Sequence, residues 1–270
     1  MRRIILLIFL LLFSRAAVAQ EHPFMEGEEV RWSVMFKWGA LNTEVGQARF
    51  CVDSLFFRGS EAYHIDCKVQ SAPFFDRFYK IREDLQSWVR AKDLRPLRFT
   101  RNTYEGGYVA TNEYNYNWDK GIIEADVNFE NKGEQHLEIP VKEGEYDLIS
   151  LVFNIRSLPD SAYRKGQTTL VRFAIDDAVF DVYIRAYGEE VIKVRKMGKM
   201  KGWHLACSVV QGALFEGDED LHLWLSADAN RIPIAAKVPL KVGAVQAWLS
   251  TYSGLKYPFE AYADVRKRKS

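Results

Sequence analysis

The chain has 270 residues, 48% of them hydrophobic and 14% aromatic, with a formal net charge of +1. That composition supports a buried core and excludes disordered, collagen-like and low-complexity chains. Three cysteines are too few for a disulfide-built scaffold.

Arg2 and Arg3 precede an uncharged apolar run from Ile4 to Phe13, followed by Ala17-Val18-Ala19. A positive n-region, a short apolar stretch and small residues at a cleavage site predict a secretory signal peptide over residues 1–19. The run is about half the length needed to span a bilayer as a helix. Cleavage leaves Gln20 at the new terminus, with no cysteine there for lipid attachment. The expected location is periplasmic or extracellular, and the protein is not expected to be a lipoprotein. Losing Arg2, Arg3 and Arg15 leaves 34 basic against 36 acidic residues, a net charge of −2. That balance gives no electrostatic case for nucleic acid.

Period-2 alternation dominates from residue 28 onward. Val30, Trp32, Val34 and Phe36 share one face of a first strand. Gly46, Ala48, Phe50 and Val52 form the next apolar face, and beyond the turn at Arg58-Gly59-Ser60 come Tyr63, Ile65, Cys67 and Val69. A short helical turn is predicted at Phe74–Tyr79. Strands follow over 85–89, 97–101, 108–118 and 122–129, the third interleaving Asn112, Asn115 and Asn117 with Tyr114, Tyr116 and Trp118. In Asp147–Leu158 the apolar residues recur at 148, 151, 152, 155 and 158, which is helical spacing, with Asp147 as cap or first-turn acid and Pro159 as the stop. Further strands are expected over 168–175, 179–187, 190–196, 203–210, 221–226, 232–238 and 244–252, punctuated by Gly188, Gly198, Gly202, Gly217 and Gly243.

These elements predict an all-β, mainly antiparallel fold: a curved sheet or incomplete barrel with one covering α-helix and a short second helical turn. No linker divides the chain, so residues 20–257 read as one domain, followed by a C-terminal tail over 258–270 that ends in the basic run Arg266–Lys269.

An opening Pro23-Phe24 with Gly27-Glu28, then Gly46-Gln47-Ala48, Phe75-Asp76, Leu94–Phe99, Glu105–Tyr108, Tyr146–Ser150, Trp224-Leu225-Ser226, Asp228 and Arg231-Ile232-Pro233 follow one another in an order that resembles the DUF3108 family of exported bacterial proteins. The likeness runs from about residue 23 to 252. It implies an exported, β-rich protein and assigns no activity or site residue. A more distant likeness to lipoprotein-carrier half-barrels of the LolA type rests on fold alone.

Chemistry-bearing patterns are sparse. His22, His64, His136, His204 and His222 lack metal-ligand spacing, although His204 and His222 could face each other across a hairpin. No nucleophile elbow is present. Gly106-Gly107 reads as a strand bulge rather than a phosphate cradle. Cys51 and Cys67 flank a hairpin: a register symmetric about Gly59 would oppose them, whereas matched apolar faces pair Phe50 with Cys67 and turn Cys51 away. No metal or cofactor is expected.

The surplus aromatics and the single amphipathic helix suggest an apolar pocket between helix and sheet, lined by Trp32, Phe36, Phe75, Phe78, Leu148, Leu151, Val152 and Ile155. Such a pocket suits a hydrophobic small molecule or lipid. The expected function is therefore a non-catalytic envelope protein that binds a lipid-like ligand. One alternative is a structural or protein-interaction module of the envelope. Another is a carbohydrate-binding or carbohydrate-processing protein using Tyr114, Tyr116 and Trp118. The basic tail offers peripheral contact with a membrane.

Overall fold

The structure, a computed structural model, describes residues 21–130, 133–209, 221–240 and 243–263; the expected signal peptide, Gly217 and the run Arg266–Lys269 lie outside them. The first strands are β1 (Glu29–Trp38), β2 (Leu41–Phe57), β3 (Ser60–Ser71), β4 (Ile81–Arg90), β5 (Pro96–Glu105), β6 (Tyr108–Asn117), β7 (Ile122–Phe129), β8 (Gly133–Pro140) and β9 (Glu145–Asp147). The helix α1 (Leu148–Arg156) follows, then β10 (Thr168–Ile175), β11 (Ala178–Val194), β12 (Gly198–Val209), β13 (Leu221–Ser226), β14 (Pro233–Pro239) and β15 (Ala244–Ser253).

All fifteen strands belong to one sheet, ordered β8-β7-β6-β5-β4-β3-β2-β1-β15-β14-β13-β12-β11-β10-β9. Neighbours are antiparallel except β9 and β10, which run parallel. Strands adjacent in sequence pair with one another except β8 and β9, which form the two edges, and β1 pairs with β15, which joins the two halves of the chain. No backbone ladder links the edge strands β8 and β9. Side chains draw the sheet's two flanks together instead. The Tyr114 hydroxyl donates to the Asp176 carbonyl at 2.7 Å, Arg101 pairs with the Asp176 carboxylate at 3.3 Å, and the Ser87 hydroxyl donates to Asp147 at 2.7 Å. The fold is thus an all-β, mainly antiparallel incomplete barrel with one helix against its hollow side.

The alternation that marks the strands also fixes which face is buried. Ala110, Asn112, Tyr114 and Tyr116 turn inward while Thr111, Glu113 and Asn115 turn out. The aromatics of the carbohydrate alternative therefore do not form an exposed stacking surface: Tyr114 and Tyr116 are core residues, and Trp118 stacks on Tyr116 with its indole N–H donating to the Pro96 carbonyl.

Several boundaries differ from the periodic reading. β8 and β9 carry too short or too weak an alternation to be seen in sequence. The two strands expected over 179–187 and 190–196 are one, because Gly188, at φ +93°, accommodates a bulge rather than a turn. Gly202 lies within β12, pressed against Ile234 and Trp224. Gly106 and Gly107, at φ +61° and +105°, form the two-residue β5–β6 turn rather than a bulge. The helical turn near Phe75 is one turn of 3₁₀ helix, Phe75–Arg77. Within the expected tail, residues 258–263 lie along β12, with the Lys201 amide bonded to the Ala261 carbonyl and the Ala263 amide to the Lys199 carbonyl.

The helix starts where its sequence says it should. Asp147 accepts from the amides of Ile149 and Ser150, and the Ser150 hydroxyl accepts from the Asp147 amide, a reciprocal cap. Arg156 closes it. Its guanidinium, fully buried, donates to both oxygens of the equally buried Glu28 at 2.7 and 2.9 Å and to the Asn230 carbonyl at 3.0 Å. Arg231 then caps the last carbonyls, donating to Arg156 and Leu158. The helix ends at Arg156, before Pro159, which opens a 3₁₀ turn.

Candidate functional site

One side of α1 packs against β4, β9 and β10, and the residues on its other side face a cavity of about 430 Å³. Leu148, Leu151, Val152 and Ile155 form its helical wall. Trp32 on β1, Phe50 on β2 and Val69 on β3 form part of the sheet wall. Trp32 is held in place by its indole N–H, which donates to the Pro233 carbonyl at 2.7 Å, and by the edge-on Phe50 ring 5.1 Å away. The space exists because small residues stand where large ones would fill it: Ala48 pairs with Trp32 across β1–β2, and Ala236 with Ala247 across β14–β15. Among the described residues no carboxylate, imidazole or ammonium group lines the cavity. The thiols of Cys67 and Cys207 belong to its wall, and burial pushes the Cys67 thiol far up, which leaves it un-ionised and non-nucleophilic.

Five of the eight residues singled out in sequence meet here: Trp32, Leu148, Leu151, Val152 and Ile155. Phe36, Phe75 and Phe78 do not. β2 carries a bulge at Val45, opposite Val34 and Met35 of β1, and there Met35 is buried while Phe36 is half-buried away from the cavity. Phe75 sits on the 3₁₀ turn outside the barrel, and Phe78 is 80% exposed. The opposing alanines escaped notice because a methyl side chain reads as a weak core residue, not as the boundary of a void.

The other constellations are structural. Matched apolar faces do set the hairpin: Phe50 pairs with Cys67, and Cys51 pairs with Asp66 and donates its S–H to Glu29 at 3.3 Å, so Cys51 and Cys67 are not bridged. His204 and His222 do meet, ring nitrogens 2.8 Å apart, in a stack with Tyr187 and Trp224. Among the described residues no three His, Cys, Asp or Glu are placed to hold a metal ion. His22 is buried, bonded to the Ala91 carbonyl and stacked on Phe24, and its desolvation lowers its pKa. A polar groove of about 690 Å³ crosses the outer face of β4–β8, past Gln86, Thr100, Asp126 and His136. Among the described residues its one Trp, Tyr or Phe ring is Trp88, which is covered by His64 stacked at 4.6 Å and by the Arg98 guanidinium at 5.1 Å.

Curled sheet, capped helix and apolar interior define a β-barrel-like protein whose hollow side is partly filled by one helix. The model of the family described as protein of unknown function (DUF3108) matches residues 30–250, and the chain belongs to that family. No curated protein matches it. Among solved structures it is similar to the beta-barrel-like protein of domain of unknown function DUF1849 from Brucella abortus, at 10% identity over 85% of this chain and 98% of that one, with a TM-score of 0.56. That likeness concerns the fold alone.

The motifs that carry the family resemblance mostly build the frame of the helix. Glu28 pairs with Arg156, Phe24 packs edge-on against Phe153, Asp147 to Ser150 make the cap, and Arg231 closes the far end. Asp228 folds its own loop by accepting from the amides of Asn230 and Arg231.

Proposed function

We propose that this protein is exported and binds a hydrophobic ligand, an acyl chain or a molecule of similar character, in the cavity between α1 and the sheet. One observation carries the reading: an interior space of about 430 Å³ with an almost wholly hydrocarbon wall. Polar ligands have nothing there to bond. Apolar cavities of about 150 Å³ bind benzene-sized molecules, and this one is nearly three times larger. Export rests on the predicted leader, and the N-terminal residue of protein from the exported fraction is expected to be Gln20.

The test uses that protein and a fluorescent fatty acid as probe. Wild type is expected to bind it, and Ala236→Leu, which fills the space from the sheet side, to bind at least tenfold more weakly with an unchanged or raised melting temperature. Equal binding by both, or none by wild type after delipidation, would remove the ligand reading and leave a structural module of the envelope.

A further inference from the structure

Alternating strand direction sends the β1–β2, β3–β4, β5–β6 and β14–β15 turns to the same end of the barrel. The first and last of these are adjacent, since Lys37 pairs with Ala244. The β3–β4 connection leaves the sheet where the Ala72 amide donates to Val45, and it reaches the β5–β6 turn where the Gly106 amide donates to Lys80. These turns carry Trp38, Leu41, Leu240, Phe74, Phe78 and Tyr79, with Tyr104 and Val109 on the neighbouring hairpin. Among the described residues, that is eight of the fourteen exposed large hydrophobic side chains, with Trp38 60% and Phe78 80% exposed. Scattered exposed apolar residues need no explanation, but a concentration at one end does.

On the β1–β4 side, cations are interleaved with these side chains. Lys37 flanks Trp38, Arg77 lies between Phe75 and Phe78, and Lys80 follows Tyr79 with its ammonium 5.2 Å from the Tyr104 ring. Neighbouring carboxylates are already engaged: Glu44 with Arg195, Asp76 with Arg82, and Asp176 with Arg101. Glu105 pairs with Ile81 beside Lys80 and Tyr79, and Glu130 stands farther along, on the β7–β8 side. Aromatic rings interleaved with lysine and arginine are what the boundary between acyl chains and anionic headgroups accommodates, rings at the boundary and cations at the phosphates. The cavity lies toward this end too, because its residues Ala48 and Val69 pair two positions from Gly46 and Ser71, where the β3–β4 connection begins.

We propose that this end of the barrel docks on an anionic lipid surface, with Trp38, Leu41, Phe74 and Phe78 entering the headgroup boundary and Lys37, Arg77 and Lys80 meeting phosphates. The proposal does not require the cavity to be occupied. It is tested by co-sedimentation of protein from the exported fraction, its N-terminus determined, with vesicles of phosphatidylcholine alone and of phosphatidylcholine and phosphatidylglycerol in equal parts. Binding is expected to the anionic vesicles and to weaken with salt. Phe74→Ser with Phe78→Ser is expected to lower the affinity about tenfold or more, and Arg77→Glu with Lys80→Glu severalfold. All four positions are exposed, so circular dichroism and melting should stay native, and Ala236→Leu should bind vesicles as wild type does. No binding to either vesicle overturns the proposal. So does binding that these variants leave intact, or that is lost only when residues 264–270 are removed. Capture of a protein partner through the same residues without vesicle binding overturns it as well.

Discussion

Glu28 and Arg156 form a fully buried ion pair that ties the segment before β1 to the end of the helix. Removing one partner leaves the other charge buried and alone, so Glu28→Ala is expected to cost about 3–5 kcal/mol in urea unfolding. The double variant Glu28→Leu with Arg156→Met should cost less than Glu28→Ala alone, because no charge is stranded. Asp147 is a different case. Its carboxyl is completely buried, and desolvation raises its pKa to about 6 despite the amides and the Ser87 hydroxyl it accepts from. The folded state therefore holds this proton more tightly than the unfolded chain, whose value is near 3.8. Its stabilisation is complete below that value and is lost as pH rises through about 6, on the order of 3 kcal/mol across the window. Asp147→Asn keeps the helix cap, so its melting temperature relative to wild type should climb between pH 4 and pH 7. His22 works in the opposite sense, its lowered pKa removing stability as pH falls below its ordinary 6.5.

At the scale of elements, the hairpins decide where each side chain faces. β2 and β3 approach so closely at Gly46 that a Cβ there would lie 2.5 Å from the Gln70 carbonyl oxygen. Because that atom is backbone, the neighbour cannot swing away, and Gly46→Ala is expected to cost about 1–3 kcal/mol in thermal unfolding. The bulge at Val45 of β2 has another character: it adds a residue opposite Val34 and Met35 and shifts the β1–β2 register there. The helix carries no such slip. Its spacing, acid cap and closing proline are all local signals, and each proved to be where the chain implied, with the helix ending one turn before the proline.

At the scale of the molecule, a sheet with two free edges is held curled by side chains rather than by a closing ladder. Tyr114, Arg101 and Asn112 on β5 and β6 converge on Asp176 in the β10–β11 turn. Tyr114→Phe removes the donor to the Asp176 carbonyl and is expected to lower stability by about 1–2 kcal/mol, read by urea unfolding, with fatty-acid probe binding unchanged. The β1–β15 pairing matters more to the architecture, because it places Trp32 among β2, β14 and β15 residues from both halves of the chain and so assembles the cavity wall.

Fold class was legible in the sequence because it depends on short-range regularities: alternation with period two, glycines at turns, and apolar spacing in Asp147–Leu158. Half of the candidate site was legible for the same reason, since Leu148, Leu151, Val152 and Ile155 share one helical stripe. What tertiary structure alone decided was the void itself and the crowded end of the barrel. A cavity is a relation between Ala48, Ala236 and Ala247, which stand up to about 200 residues apart, and no local pattern records that three small side chains will face one another. Phe75 and Phe78 likewise read as pocket wall until the β3–β4 connection put them outside, because hydrophobicity says that a side chain should leave water and only the fold says whether the protein itself provides the place.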